Sequence, residues 1–142
     1  MPQPVPPNDF DFATSGRRVF AVEAHGLAAV AARIDGAFSA ACMAILASRG
    51  RVVCTGMGKS GHVARKVAAT MASTGTPAYF LHPAEGVHGD VGIVAQGDVG
   101  VVFSSSGETD ELLAVLPAIK RLSVPVVLLT GNAASSLARQ AD

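Results

Sequence analysis

The run Asp98-Val-Gly-Val-Val-Phe-Ser-Ser-Ser-Gly-Glu-Thr109 carries an apolar stretch into three serines, a glycine and a threonine, and a helical pattern opens at Asp110. A buried strand that delivers Ser104, Ser105, Ser106 and Thr109 to a helix N-terminus makes an anion cradle. The first-turn amides of a helix lack intrahelical acceptors, and the positive end of the dipole faces whatever the hydroxyls hold. Such a cluster suits a phosphate, which takes many donors and little bulk. An ordinary cap, with Ser105-x-x-Glu108 as a capping box, accounts for one hydroxyl; four within six residues favour a ligand.

Gly56-Met57-Gly58-Lys59-Ser60-Gly61 also sits between a strand pattern and a helical one. It satisfies the dinucleotide fingerprint G-x-G-x-x-G, but that site needs an acidic residue at the end of the next strand to hold a ribose. Here that strand ends in Leu81-His82-Pro83, and the first carboxylate is Glu85. A Walker A motif fails as well, because its leading glycine would fall at Val53, inside the strand. A tight turn explains the glycines and leaves Lys59 free to supply positive charge to an anion. No Lys or Arg lies between Lys66 and Lys120, whereas Glu85, Asp90, Asp98, Glu108, Asp110 and Glu111 all do. A phosphate bound there relies on amides, hydroxyls and Lys59, which limits it to a small anion.

Glu111 reads equally as a carboxylate stabilising the helix dipole, worth about 0.3–1 kcal/mol, or as a proton-transfer group that needs desolvation to act. His82 and His88 flank Pro83-Ala84-Glu85-Gly86, with Asp90 beyond. Two histidines six apart could ligate a metal, but no third ligand is evident. Hydrogen bonding to a polar ligand and plain loop stabilisation both remain open. His25 and His62 lie in helical patterns and carry no assigned chemistry.

The elements that must position these groups are legible from periodicity. Thr14 or Ser15 is expected to cap a helix in which Phe20, Ala24, Leu27, Ala31 and Ile34 share a face. Asp35-Gly36 breaks it. A second helix follows, with Phe38, Ala41, Cys42, Ile45 and Leu46 on its buried side and Gly50 as the stop. Beyond this helical hairpin the pattern is β–α repeated: strand 51–55, helix 60–73, strand 78–81, a loop rich in Gly, His and Pro to about Gly97, strand 99–103, helix 110–122, strand 125–130 and a last helix over 133–141. Pro117 predicts a kink or an early end in the helix that contains it. Short apolar strands alternating with helices indicate an α/β fold, a doubly wound parallel sheet covered on both faces. Ligands bind such sheets beyond the carboxyl ends of the strands, where both glycine-bearing loops fall.

At 142 residues, nearly half of them apolar and 15% charged, the chain suits one domain with a substantial core. Zero formal net charge argues against nucleic-acid or membrane-surface partners. Cys42 and Cys54 have neither metal nor disulfide spacing and read as buried small hydrophobes in a reducing cytoplasm. Residues 1–9 form an expected loose, Pro-rich tail without the order of a signal peptide, ahead of a domain over 10–142. No apolar run approaches membrane-spanning length. An αβ connection would begin where the chain stops at Asp142, so the expectation is that further strands and helices complete the sheet; an uncovered edge is an aggregation liability.

Gly56-Met57-Gly58-Lys59-Ser60-Gly61-His62, Ala72-Ser73-Thr74-Gly75-Thr76-Pro77, His82-Pro83-Ala84-Glu85-Gly86-Val87-His88-Gly89-Asp90 and Ser104-Ser105-Ser106-Gly107-Glu108-Thr109, in this order, resemble the sugar isomerase (SIS) domain of D-arabinose 5-phosphate isomerases. The likeness covers nearly the whole chain from about Asp9. It implies a flavodoxin-like, Rossmann-type sandwich and reversible interconversion of D-arabinose 5-phosphate and D-ribulose 5-phosphate, which feeds synthesis of the lipopolysaccharide sugar Kdo. It also implies no cofactor, a cytoplasmic location and a homo-oligomer, usually a tetramer. Carried onto this chain, Ser104, Ser106 and Thr109 match phosphate-binding positions; Ser105 stands where close relatives often carry asparagine. Gly75, Thr76, His82 and His88 match positions lining the sugar site, with His82 also a site for an inhibitory zinc, and Lys59 and Glu111 match positions that affect catalysis. The family's further glutamate and histidine, and its usual pair of CBS domains, would fall beyond Asp142, so the likeness implies that these residues alone bind substrate yet turn it over poorly. Two other readings compete. A non-catalytic sugar-phosphate sensor would normally carry a basic helix-turn-helix, and a nicotinamide-dependent oxidoreductase would bind NAD.

Overall fold

The structure, a computed structural model, describes residues 9–142; residues 1–8 of the expected tail lie outside the described part. Two compact units divide the chain, one extending to Ser39 and the other spanning Ala40–Asp142. The first is dominated by α1 (Phe12–Ala31). Its cap is Asp11 rather than Thr14 or Ser15: the Asp11 carboxylate accepts from the Thr14 amide at 2.9 Å and from the Thr14 hydroxyl at 2.6 Å. An aspartate at this position reaches the third helical amide, so Thr14 becomes the residue that is capped. No residue of α1 is buried, and Ile34 lies beyond its end.

Helix α2 (Gly36–Ala47) runs across the division between the units. Ala44 and Ile45 pack against an apolar cluster of the second unit, but Phe38 and Leu46, expected on the buried side, are exposed, and Cys42 is half-buried. Gly50 is not the helix stop, since α2 ends three residues earlier. Its amide donates to the Gly97 carbonyl at 2.8 Å, and a Cβ there would strike the Asp98 side chain; the glycine is there for close approach.

The second unit is a four-stranded parallel sheet: β1 (Val52–Gly56), β2 (Ala78–Leu81), β3 (Val99–Phe103) and β4 (Val126–Leu129), in the order β2-β1-β3-β4. The central strands β1 and β3 are buried at all five positions, which is why they read as continuous apolar runs without alternation. Between β1 and β2 runs α3 (Gly58–Ser73), whose buried face is Gly61, Ala64 and Ala68. Small residues let this helix sit close: a Cβ on Gly61 would lie 2.6 Å from the Gly56 carbonyl oxygen. Val52, Cys54, Val101 and Phe103 meet α3 on one face of the sheet. Val53, Leu81 and Val102 meet α5 (Asp110–Arg121) on the other, through Leu112, Val115, Leu116 and Ile119 at helical spacing.

Three expectations need correction. The segment after β2 is not a plain loop but holds α4 (Pro83–Val87) and a 3₁₀ turn over Asp90–Ile93; proline at the first helical position starts α4. Helix α5 does not end early at Pro117 but runs to Arg121. The proline lies on its exposed side, four buried side chains hold the other side, and Asp110 and Glu111 at one end with Lys120 and Arg121 at the other suit the dipole. Residues 133–141 form successive turns instead of a helix. Arg51 is half-buried at the amino end of β1, donating to the Ile93 carbonyl at 2.8 Å and stacking over the Tyr79 ring at 4.7 Å. No single helix is long and apolar enough to cross a membrane.

Candidate functional site

Strand register decides which loops meet. Thr55 lies opposite Leu81 and Val102, Gly56 opposite Phe103, and Phe103 opposite Leu129. The residues that follow, His82 after β2, Met57 to Lys59 after β1, Ser104 to Thr109 after β3 and Thr130 after β4, therefore share the carboxyl edge of the sheet. Chain order reverses direction between β1 and β3, and the connections leaving them go to opposite faces. That is the switch point at which open α/β sheets take ligands.

The Ser104–Thr109 loop is shaped from within and from behind. Ser104 is 3% exposed. Its Oγ accepts from the Gly107 amide at 3.0 Å and shares a hydrogen bond with Thr109 Oγ1 at 2.9 Å. Ser106 Oγ accepts from the Glu108 amide at 3.2 Å. Gly107 has φ 69°, and a Cβ on it would run into the Ser135 side chain; only glycine combines that backbone with that contact. Behind the loop, the Ser105 carbonyl accepts from the Gly131 amide at 3.0 Å, and the Gly107 carbonyl accepts from the Leu137 amide at 3.1 Å. The Glu108 carboxylate accepts from the Ser136 amide at 2.8 Å, and this bond holds the carboxyl below the usual carboxylate range.

Thr109 is the N-cap of α5 and makes no side-chain cap bond, so the capping box that the sequence offered as the plainer alternative does not form: Glu108 is turned to Ser136 and Ser105 lends its carbonyl to Gly131. The arrangement leaves the exposed Ser105 and Ser106 and the half-buried Thr109 beside the first turn of α5, whose early amides have no intrahelical acceptor. Glu111 is half-buried in that turn. Lys59, second residue of α3, is exposed and takes part in neither ion pair found among the described residues, Arg51–Asp98 and Lys120–Asp142. Chemically this is a neutral donor cluster with one free cation at the neighbouring strand end.

His82 caps the start of α4, and its Nδ1 is buried without a partner. It lines a cleft of about 450 Å³ along β2 with Tyr79, Glu85, Gly89 and Asp90. His88, at the other end of α4, is exposed. No three His, Cys, Asp or Glu side chains gather to hold a metal among the described residues. Gly75 and Thr76 fall elsewhere. They follow α3, which at about 1.5 Å per residue carries the chain back across the sheet to its amino edge. Within one chain they do not join Lys59, His82 and the serine loop.

Ser135, fully buried against Gly107, and Gly131 belong to the frame of the site and left no distinct sequence signal: 133–141 reads as a helix, and Gly131 falls in the short link before it. Thr55 is 1% exposed and its Oγ1 has no hydrogen-bond partner. An unsatisfied buried hydroxyl costs about 1–3 kcal/mol.

A SIS domain family model matches residues 45–142, leaving 10–44 of the expected domain outside the match. The chain is 49% identical over 133 residues to the arabinose 5-phosphate isomerase KdsD of Escherichia coli strain K12, covering 94% of this chain and 40% of that protein. With the KdsD of Pseudomonas aeruginosa it shares 48% over 134 residues, 94% of this chain and 41% of the relative. The chain thus spans about 40% of the length of the curated relatives it matches. Among solved structures, an Escherichia coli CFT073 protein in complex with arabinose 5-phosphate superposes with a TM-score of 0.81 at 40% identity, covering 94% of this chain and 72% of that one.

Proposed function

Because the chain belongs to the SIS domain family, we propose that it acts in a sugar-phosphate isomerase, interconverting D-arabinose 5-phosphate and D-ribulose 5-phosphate in the supply of Kdo. The observation that carries this reading is the hydroxyl cradle of Ser105, Ser106 and Thr109 at the open first turn of α5, one strand away from an unpaired Lys59. The similar KdsD relatives bear the name of that activity, and the similar structure holds the aldose phosphate itself.

In this reading the cradle anchors the phosphate, with Ser104 fixing the Thr109 hydroxyl from beneath. Isomerisation then opens the sugar, takes a proton from the carbon next to the carbonyl and returns it to the neighbouring carbon through a cis-enediol. The Lys59 ammonium stabilises charge developing on the enediolate oxygen, and Glu111, desolvated by the ligand, transfers a proton. His82 and His88 hold sugar hydroxyls. Gly75 and Thr76, at the amino edge, reach a sugar site only from a second copy of the chain, so the reading includes self-association as a homo-oligomer, a tetramer by family, in the cytoplasm.

The test pairs binding with proton exchange. Isothermal titration with D-arabinose 5-phosphate is expected to show saturable binding that falls at least tenfold in a Ser106→Ala, Thr109→Val double variant. Nuclear magnetic resonance in D₂O then reads exchange at the carbon beside the carbonyl, which Lys59→Met should slow at least a hundredfold. Binding without exchange in the unmodified chain removes proton transfer from these residues alone, as expected of a chain that spans about 40% of its relatives; no binding removes the reading altogether.

A further inference from the structure

We propose that Ser104 is a positioning residue whose hydroxyl donates to Thr109 Oγ1 and so makes Thr109 a donor toward the phosphoryl group in the cradle; the proposal rests on the functional reading above. A hydroxyl carries one proton and two lone pairs. Ser104 Oγ already accepts from the Gly107 amide at 3.0 Å and is 3% exposed, so its proton needs an acceptor within the protein. Among the described residues Thr109 Oγ1, at 2.9 Å, is the one partner that can take it. The reverse direction, with Thr109 donating to Ser104, would strand the Ser104 proton in a buried place, where an unmade bond costs more than a made one returns.

That direction decides what Thr109 can do. A threonine at an N-cap ordinarily turns its oxygen to an early amide of its own helix. Thr109 makes no such bond; its oxygen meets Ser104 instead, and the first-turn amides of α5 stay open. An oxygen that accepts from Ser104 keeps its own proton, and no carbonyl or carboxylate among the described residues takes it. Ser106 repeats the arrangement one amide further on: its Oγ accepts from the Glu108 amide at 3.2 Å, which leaves its proton for a ligand. The acceptors of the loop are turned the other way. The Ser105 carbonyl, the Gly107 carbonyl and the Glu108 carboxylate take the amides of Gly131, Leu137 and Ser136 behind it. The loop's own amides thus point two hydroxyls outward as donors, the polarity that an ionised phosphoryl oxygen accepts.

The experiment is a double-mutant cycle on the 142-residue chain: the original, Ser104→Ala, Thr109→Val and the pair. Each is titrated at pH 8 with D-arabinose 5-phosphate, inorganic phosphate and sulfate, and its melting temperature is taken. Either single substitution is expected to weaken both phosphates about tenfold, and adding Ser104→Ala to Thr109→Val should change affinity by less than about twofold. In a Thr109→Ser background, which keeps the hydroxyl, Ser104→Ala should again cost about tenfold. A role confined to loop structure gives the same Ser104→Ala loss with and without the Thr109 hydroxyl; that result overturns the proposal while the functional reading stands. Sulfate, which carries no proton at this pH, reads the direction without any change at Ser104. Thr109→Val should weaken it by the same factor as inorganic phosphate. Sulfate that fails to bind where inorganic phosphate does, or that Thr109→Val leaves intact, marks an accepting hydroxyl and also overturns it. If the original chain binds none of the three, the functional reading and this one fall together.

Discussion

Cys54 and Thr55 are neighbours on β1 and face opposite sides of the sheet, and their burial has opposite meanings. The thiol lies among Ala64, Ala68, Val101 and Phe103, where a weakly polar group loses little, and desolvation pushes its pKa up to about 11. A thiol so buried has almost no thiolate at pH 8, and thiolate is the reacting form. N-ethylmaleimide at pH 8 should therefore label the half-buried Cys42 first. Cys54 should react only as the chain unfolds, at a rate that climbs with urea in step with loss of structure. Mass spectrometry of the digested protein separates the two sites. Prompt labelling of Cys54 in the native protein would mean that the α3 face of the sheet opens far more often than its packing implies. Residue chemistry of this kind was legible beforehand for Cys54, because the strand run is apolar throughout, but not for Cys42, because periodicity names a helical face and not what covers it.

The strands and the two long helices of the sheet were legible because each carries one clean period: unbroken apolar runs for β1 and β3, and steps of three and four for α5. Elements set by tertiary context were not. Pro117 would break an isolated helix, yet α5 has Leu112, Val115, Leu116 and Ile119 anchored along its buried side. Residues 133–141 have helix-forming composition but give the Ser136 and Leu137 amides to the cradle loop, while Ser135 packs against Gly107. That buttress makes a pH prediction. The Glu108 carboxyl lies below its ordinary value of 4.5, first through the hydrogen bond from the Ser136 amide. A carboxyl lowered in the folded chain stabilises above the unfolded value and loses that contribution as pH falls through the folded one. The Ser136 amide resonance should titrate with a midpoint below 4.5, and the movement should vanish in Glu108→Gln. A midpoint at or above the ordinary value would show the tie to be absent in solution. The same loop predicts a strong effect for Gly107→Ala. Its φ of 69° and the Ser135 contact both oppose a side chain, so destabilisation of about 1–3 kcal/mol is expected by urea unfolding, with phosphate affinity lost even where the chain remains folded.

At the scale of the molecule, the candidate site was legible to the extent that its residues share an edge. Lys59, His82, Ser104, Ser105, Ser106, Thr109 and Glu111 all follow carboxyl strand ends, whereas Gly75 and Thr76 are separated from them by the length of α3. The helical face of Phe20, Ala24, Leu27 and Ala31 raises a related question of cover. Its steps of four, three and four are those of a helix–helix seam, yet no residue of α1 is buried, and Phe20 and Leu27 stand 75% and 72% exposed. A monomer gains nothing by presenting such a stripe to water, and scattered surface leucines do not fall into register. A second copy can cover it, since a two-fold axis brings the same seam against itself. Burying a large apolar side chain contributes about 1.5–3 kcal/mol, so a Phe20→Glu, Leu27→Glu double variant should weaken association by a hundredfold or more. Sedimentation equilibrium should then show the unmodified chain as an oligomer at micromolar concentration and the variant as a monomer, with the far-ultraviolet dichroism of the sheet unit unchanged. An unmodified chain that stays monomeric there would leave α1 without a partner of its own kind, and Gly75 and Thr76 without a route to the sugar.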